Sequence, residues 1–132
     1  TERGYPLHGH ELSLAINPVE ASAAWAVGWK KETFIGSDVL KAQKAGAATR
    51  KSMALKSLDR GIPRAGMIVK NSSGEIVGEV TSGTFSPTLK HGIALALISK
   101  EIAIGTQLTI DVRGRDSACE VVTVPFVPSH VR

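Results

Sequence analysis

Cysteine is almost missing from this 132-residue chain. Cys119 stands alone, so no internal disulfide can form and the sequence fits a reducing compartment. Aromatic residues are scarce at 5%, and the basic residues are scattered along the chain. Without rings to stack bases beside a basic stripe, no nucleic-acid partner is expected. Long hydrophobic runs are also lacking: the longest uncharged apolar stretch, Gly92 to Ile98, is far too short to cross a bilayer, so no membrane partner is expected. Metal-ligand spacing, a phosphate-cradling glycine loop and a nucleophilic-serine motif are all missing. His8 and His10 flank one glycine, but two histidines without further ligands at fixed spacing read as loop residues, and no metal site is assigned. Glu11 and Glu20 are possible acids or bases, yet Glu20 already has a capping task, and no catalytic residue is assigned.

What is present is the composition of an ordinary globular protein, with 42% hydrophobic and 21% charged residues, enough for one modest core. A net charge of +4 favours an acidic partner or an anionic ligand. The chain is organised around Glu75 to Ser99. Ile76, Gly78 and Val80 alternate with Val77, Glu79 and Thr81, which predicts a half-buried strand. Gly83 to Pro87, inside the hydroxyl-rich stretch Thr81 to Thr88, predicts a shaped polar loop, because such side chains bond nearby backbone instead of joining a ladder. Ile93 to Ile98 then predicts a strand buried on both faces.

Upstream, Thr1 to Leu12 has no period, and Gly4, Pro6 and Gly9 mark it as loop. Asn17-Pro18-Val19-Glu20 predicts a helix start with a capping box and a short helix to about Ala23. Trp25, Val27 and Trp29 alternate with Ala26 and Gly28, predicting an extended segment, with a helix continuing to Trp29 as the competing reading; both tryptophans read as packing residues. Gly36 and Ser37 open a second helix that runs to Gly46. Downstream the pattern is β: a strand from Met53 to Leu58, a turn at Asp59 to Gly61, and a hairpin of Met67 to Lys70 with Glu75 to Val80 over Asn71 to Gly74. Gln107 to Arg113 alternates cleanly and should pair, through Gly114, with Ala118 to Val124, where Cys119 is packed and unreactive. The proline-containing tail Pro125 to Arg132 cannot continue a ladder, and Phe126 is placed as a plug for the barrel end. Six short strands without intervening helices predict a mostly β fold: a small antiparallel, jelly-roll-like β-barrel at residues 51–132 behind a short α/loop arm at 1–50.

Six blocks of the sequence add a family resemblance. GEVTSGTFSPTLKHGIALA, YPLHGHEL, NPVEASAAWAV, FIGSDVL, DRGIPRAG and the closing PFV occur in the order and at about the spacing of the C-terminal part of the glycine cleavage system T protein. That family is a tetrahydrofolate-dependent aminomethyltransferase. The resemblance implies that residues 1–50 end a central α+β folate-binding domain and that tetrahydrofolate and a lipoylated H protein are the partners. It also implies that the aspartate steering the chemistry and the glutamate gripping the pterin lie outside this chain, leaving a folate-site wall that is inactive alone. Tyr5 occupies the position of an aromatic that helps line the folate pocket, its other reading being an anchor for the loop on the core. Arg132 is the candidate for a tail residue that reaches back to the folate, with His130 as the alternative and a frayed terminus as the reading without function. The family location is cytoplasmic for a bacterial source and the mitochondrial matrix for a eukaryotic one, cytoplasmic being preferred. Related possibilities are the C-terminal module of a folate-linked demethylating dehydrogenase, that of a folate-binding iron–sulfur assembly factor, and a non-catalytic partner-binding barrel.

Overall fold

The computed structural model describes residues 1–128. Its frame is six strands: β1 (Arg50–Ser57), β2 (Ile68–Lys70), β3 (Ile76–Ser86), β4 (His91–Ser99), β5 (Gln107–Asp111) and β6 (Asp116–Val122). Every pairing is antiparallel, and the strands close in the order β1-β4-β3-β2-β5-β6. The expected antiparallel barrel is therefore a single closed sheet, in which each strand is paired on both sides over at least part of its length.

The interior follows from the two-residue period. Ala94, Ala96 and Ile98 of β4 point inward and pack with Leu55, Val69, Val80, Leu108, Ile110, Cys119 and Val121. Leu95 and Leu97 project from the opposite face of β4, yet they are buried too. Leu95 borders a cleft shared with residues 3–6, and Leu97 borders one shared with Gly9, His10 and Ser13, so the arm covers the outside of this strand. That is why the apolar run is unbroken.

The loop expected at Gly83 to Pro87 is instead the second half of β3. Its ladder with β4 continues from Ser82 opposite Leu95 to Ser86 opposite His91, and the chain reverses only at Pro87 to Lys90. The register shifts between Val80 and Ser82, which leaves Thr81 as an extra residue, and its Oγ1 donates to the Leu95 carbonyl oxygen at 3.0 Å. The hydroxyl thus bonds across the sheet instead of competing with it. Gly83 has a packing reason as well: a Cβ there would stand 2.5 Å from the Pro63 carbonyl oxygen, so only glycine lets the 59–66 loop lie on β3. Asp59 secures the start of that loop. Its carboxylate accepts from the Ser117 hydroxyl at 2.5 Å, the Gly61 N–H at 2.7 Å and the Ala118 N–H at 2.9 Å.

In the arm, the capping box forms but the helix does not. Asn17 Oδ1 accepts from the N–H groups of Val19 (2.9 Å) and Glu20 (3.1 Å), while Glu20 Oε2 accepts from the Asn17 N–H at 3.0 Å. The Glu20 carbonyl, which a helix would turn toward Ala24, accepts instead from the Ser52 N–H of β1 at 2.6 Å. Ser22 then takes a left-handed conformation (φ 57°) and ends the turn. The extended segment expected around Trp25 is a 3-10 turn, Ala24–Ala26, with the Trp29 indole N–H donating to the Ala24 carbonyl oxygen at 2.7 Å. The second helix is present as α1 (Ser37–Ala42), continued by a wider turn, Gln43–Ala47, and stopped where Gly46 turns left-handed. No helix among the described residues is long and apolar enough to cross a membrane.

Two outcomes test this packing. Gly83→Ala should lower the unfolding free energy by about 1–3 kcal/mol through overpacking against Pro63; an unchanged denaturant midpoint would show that the loop does not lie there. The Ser117 hydroxyl, ahead of the two backbone donors, holds the Asp59 carboxyl below the usual aspartate range. Stability from a lowered carboxyl is complete above the unfolded value, about 3.9, and drains as pH falls through the folded one. Asp59→Asn should therefore weaken the protein at neutral pH and flatten its loss of stability below about pH 4, and parallel stability–pH curves for the two proteins would contradict the contact.

Candidate functional site

A cleft of about 730 Å³ opens where the N-terminal loop, the arm and one side of the barrel meet. Arg3 to Pro6 form one wall, Ser22 and Trp25 another, and the stretch Val122 to Pro125 after β6 a third. Lys51 to Ala54 of β1 and Leu95 of β4 make the floor. Gly4 lets the first wall pass close to the third, since its φ is +69° and a Cβ there would collide with the Val124 side chain.

The chemistry of the cleft is that of a binding surface. Tyr5 is 72% exposed and Trp25 85% exposed, so two solvent-exposed aromatic residues line the cleft. The Arg3 guanidinium carbon lies 5.9 Å from the centroid of the Tyr5 ring, and Lys51 adds a second cation. Among the described residues, none that line the cleft carries a carboxylate, imidazole or thiol. Such a set can stack a flat ring and attract anionic groups, and it holds none of the usual proton-transfer side chains apart from the Lys51 amine and the Tyr5 phenol.

Behind the first wall, the Glu2 carboxylate is gripped by the β3–β4 turn. It accepts from the Ser86 hydroxyl, from the Thr88 N–H at 3.3 Å and from the Thr88 hydroxyl at 3.2 Å. The Ser86 bond, first among these, holds the Glu2 carboxyl below the usual glutamate range, against the partial loss of its water. The tail is tied to the same residue, with the Val127 N–H donating to the Glu2 carbonyl oxygen at 3.2 Å.

Residues singled out from the sequence fall into place unevenly. Tyr5 lines the cleft, and its exposure leaves the ring little part in anchoring the loop to the core. Arg132 and the alternative His130 lie outside the described residues. His10 donates from Nδ1 to the Thr81 carbonyl oxygen at 2.6 Å, and among the described residues no group of three His, Cys, Asp or Glu side chains stands where it could hold a metal ion. Glu11 is buried and accepts the Leu7 N–H at 2.8 Å through Oε2, and Glu20 is committed to Asn17 and to Arg50, 2.7 Å away. Cys119 is fully buried, and loss of water, assisted by the Asp59 carboxylate, pushes its thiol up to about 12, so it is inert as a nucleophile. Phe126 is half-buried.

The sequence reading missed Trp25, Arg3, Lys51 and Glu2. Trp29 does pack, with the Lys44 amine 4.3 Å from its ring centroid, but Trp25 does not. Its place among alanines, which offer little surface against which to bury an indole, was the one available signal.

Residues 50–128 match the family model described as the glycine cleavage T-protein C-terminal barrel domain. The whole chain is 52% identical over 132 residues to an aminomethyltransferase from Parafrankia sp. (strain EAN1pec) and 51% identical over 135 residues to one from Mycobacterium leprae (strain TN). In each case it spans 36% of the relative's length. Among solved structures it resembles the glycine cleavage system aminomethyltransferase T from Bartonella henselae, with a TM-score of 0.87 and 29% identity over 96% of this chain and 36% of that one.

Proposed function

The chain belongs to the glycine cleavage T-protein family, and from that membership we propose that it serves as the C-terminal part of a tetrahydrofolate-dependent aminomethyltransferase. The complete protein takes the aminomethyl group from the dihydrolipoyl arm of H protein, releases ammonia and passes the one-carbon unit to tetrahydrofolate in the cytoplasm. Residues 1–50 close a central folate-binding domain and residues 51–132 form the terminal barrel domain.

The observation that carries this reading is the pairing of two exposed rings with two cations in one cleft. A reduced folate offers the planar pyrimidine half of its pterin, a benzoyl ring and glutamyl carboxylates. Tyr5 and Trp25 suit the rings, Arg3 and Lys51 suit the carboxylates, and Met53, Ala54 and Leu95 supply an apolar floor. In this reading the cleft orients the acceptor and keeps water from one side of it, Arg132 adds a guanidinium for a carboxylate, and proton transfer belongs to residues outside this chain.

Two results follow. The 132-residue chain alone should show no aminomethyl transfer, and robust turnover by it would contradict the division of labour. In the complete protein Tyr5→Ala should raise the tetrahydrofolate Kd about 2- to 10-fold, the equivalent of about 0.5–1.5 kcal/mol for one aromatic contact. An unchanged Kd would remove Tyr5 from the folate wall, and a lowered melting temperature at unchanged Kd would make it an anchor after all.

A further inference from the structure

The Ser-Pro-Thr turn between β3 and β4 belongs to the stretch that most marks the sequence, yet neither Ser86 nor Thr88 lines the cleft. Both are instead occupied with Glu2. Ser86 is fully buried, and while its hydroxyl donates to Glu2 its oxygen accepts the Leu89 N–H at 3.0 Å. The turn is thus folded around the same hydroxyl that holds the carboxylate. On its backbone side Glu2 receives the Val127 N–H, so one residue joins the N-terminal loop, the β3–β4 turn and the stretch after β6. The next four residues, Arg3 to Pro6, are the cleft wall that carries Tyr5.

We infer that Glu2 is a positioning residue: clamped by Ser86 and Thr88, it sets where Arg3 and Tyr5 stand opposite Trp25 and so fixes the width of the cleft. The loop needs such a device, because residues 3–6 take no part in the barrel ladder and Tyr5 buries too little surface to hold itself in place. A carboxylate receiving three donors, two of them short hydroxyl side chains on a tight turn, is a stiff attachment. The folate side of this inference rests on the function proposed above, whereas the clamp does not.

The test uses the complete protein and two readouts. Glu2→Ala should speed amide hydrogen exchange at Gly4, which donates to the Thr1 carbonyl oxygen, and at Val127, which donates to the Glu2 carbonyl oxygen, by about tenfold or more, the effect of losing a charged hydrogen-bond set, while Leu55 and Ile98 in the barrel exchange as before. Unchanged exchange at Gly4 and Val127 overturns the clamp. With the loop loosened, the KM for tetrahydrofolate should rise about tenfold while kcat stays within about twofold, since only positioning is lost. A loosened loop with an unchanged KM leaves the clamp standing and overturns the folate assignment of the cleft. Should Glu2→Ala fail to fold, Thr88→Val, an exposed change that removes one donor, carries the same test, and Glu2→Gln should restore part of the protection because it keeps an acceptor for Ser86.

Discussion

The docking of the Asn17–Ser22 turn onto β1 depends on Glu20. One carboxylate oxygen closes the box with Asn17, the other accepts the Arg50 Nε at 2.7 Å, and the carbonyl accepts the Ser52 N–H. On one side β1 pairs with β4 from Arg50 onward, but on its other side β6 begins only at Ala54. The first residues of β1 would therefore present an unpaired edge, and the Glu20 carbonyl covers it at Ser52. A hydrogen bond to a charged group contributes about 1.5–3 kcal/mol, and partial exposure of Arg50 reduces its share toward that of a screened surface pair. Leaving the buried Glu20 carboxylate unpartnered would cost more than the contact itself contributes.

From this junction the cleft follows. Holding the turn against β1 brings Ala21, Ser22 and Trp25 beside Lys51 to Ala54, which sets the second wall and the floor. It also lays the arm over the outer face of β4, where Leu95 and Leu97 need covering. The 59–66 loop, held by Asp59, rests on β3 where Gly83 leaves room, and its Ala65 and Gly66 border the same hollow as Gly9 and His10 of the arm. The sequence blocks DRGIPRAG and GEVTSGTFSPTLKHG are thus two halves of one contact, and SPT within the second also receives Glu2.

The strands whose alternation is clean were legible: β5 with β6 and β2 with the start of β3 are hairpins that period and turn residues specify locally. The far half of β3 was not, because Thr81 to Ser86 carry loop-forming hydroxyls and the partner that enrols them, β4, acts across the sheet. The helix after Asn17 failed for a similar reason. Its capping box is visible in four residues, but the competing claim of Ser52 on the Glu20 carbonyl comes from a strand 32 positions away. At the site, Tyr5 was reached through family resemblance, while Trp25, Glu2 and Lys51 belong to it only because three distant segments converge. Six collinear blocks made the family readable where no single residue did.

The most direct test of the Glu20 junction is the hydrogen exchange of one amide, that of Ser52, in the unmodified protein. A docked arm predicts that Ser52 exchanges nearly as slowly as Leu55 in the middle of the same strand, because Glu20 is its acceptor. Exchange of Ser52 near the unprotected rate, with Leu55 still slow, would mean that the arm is not held to the barrel and that the cleft between them is not a formed site.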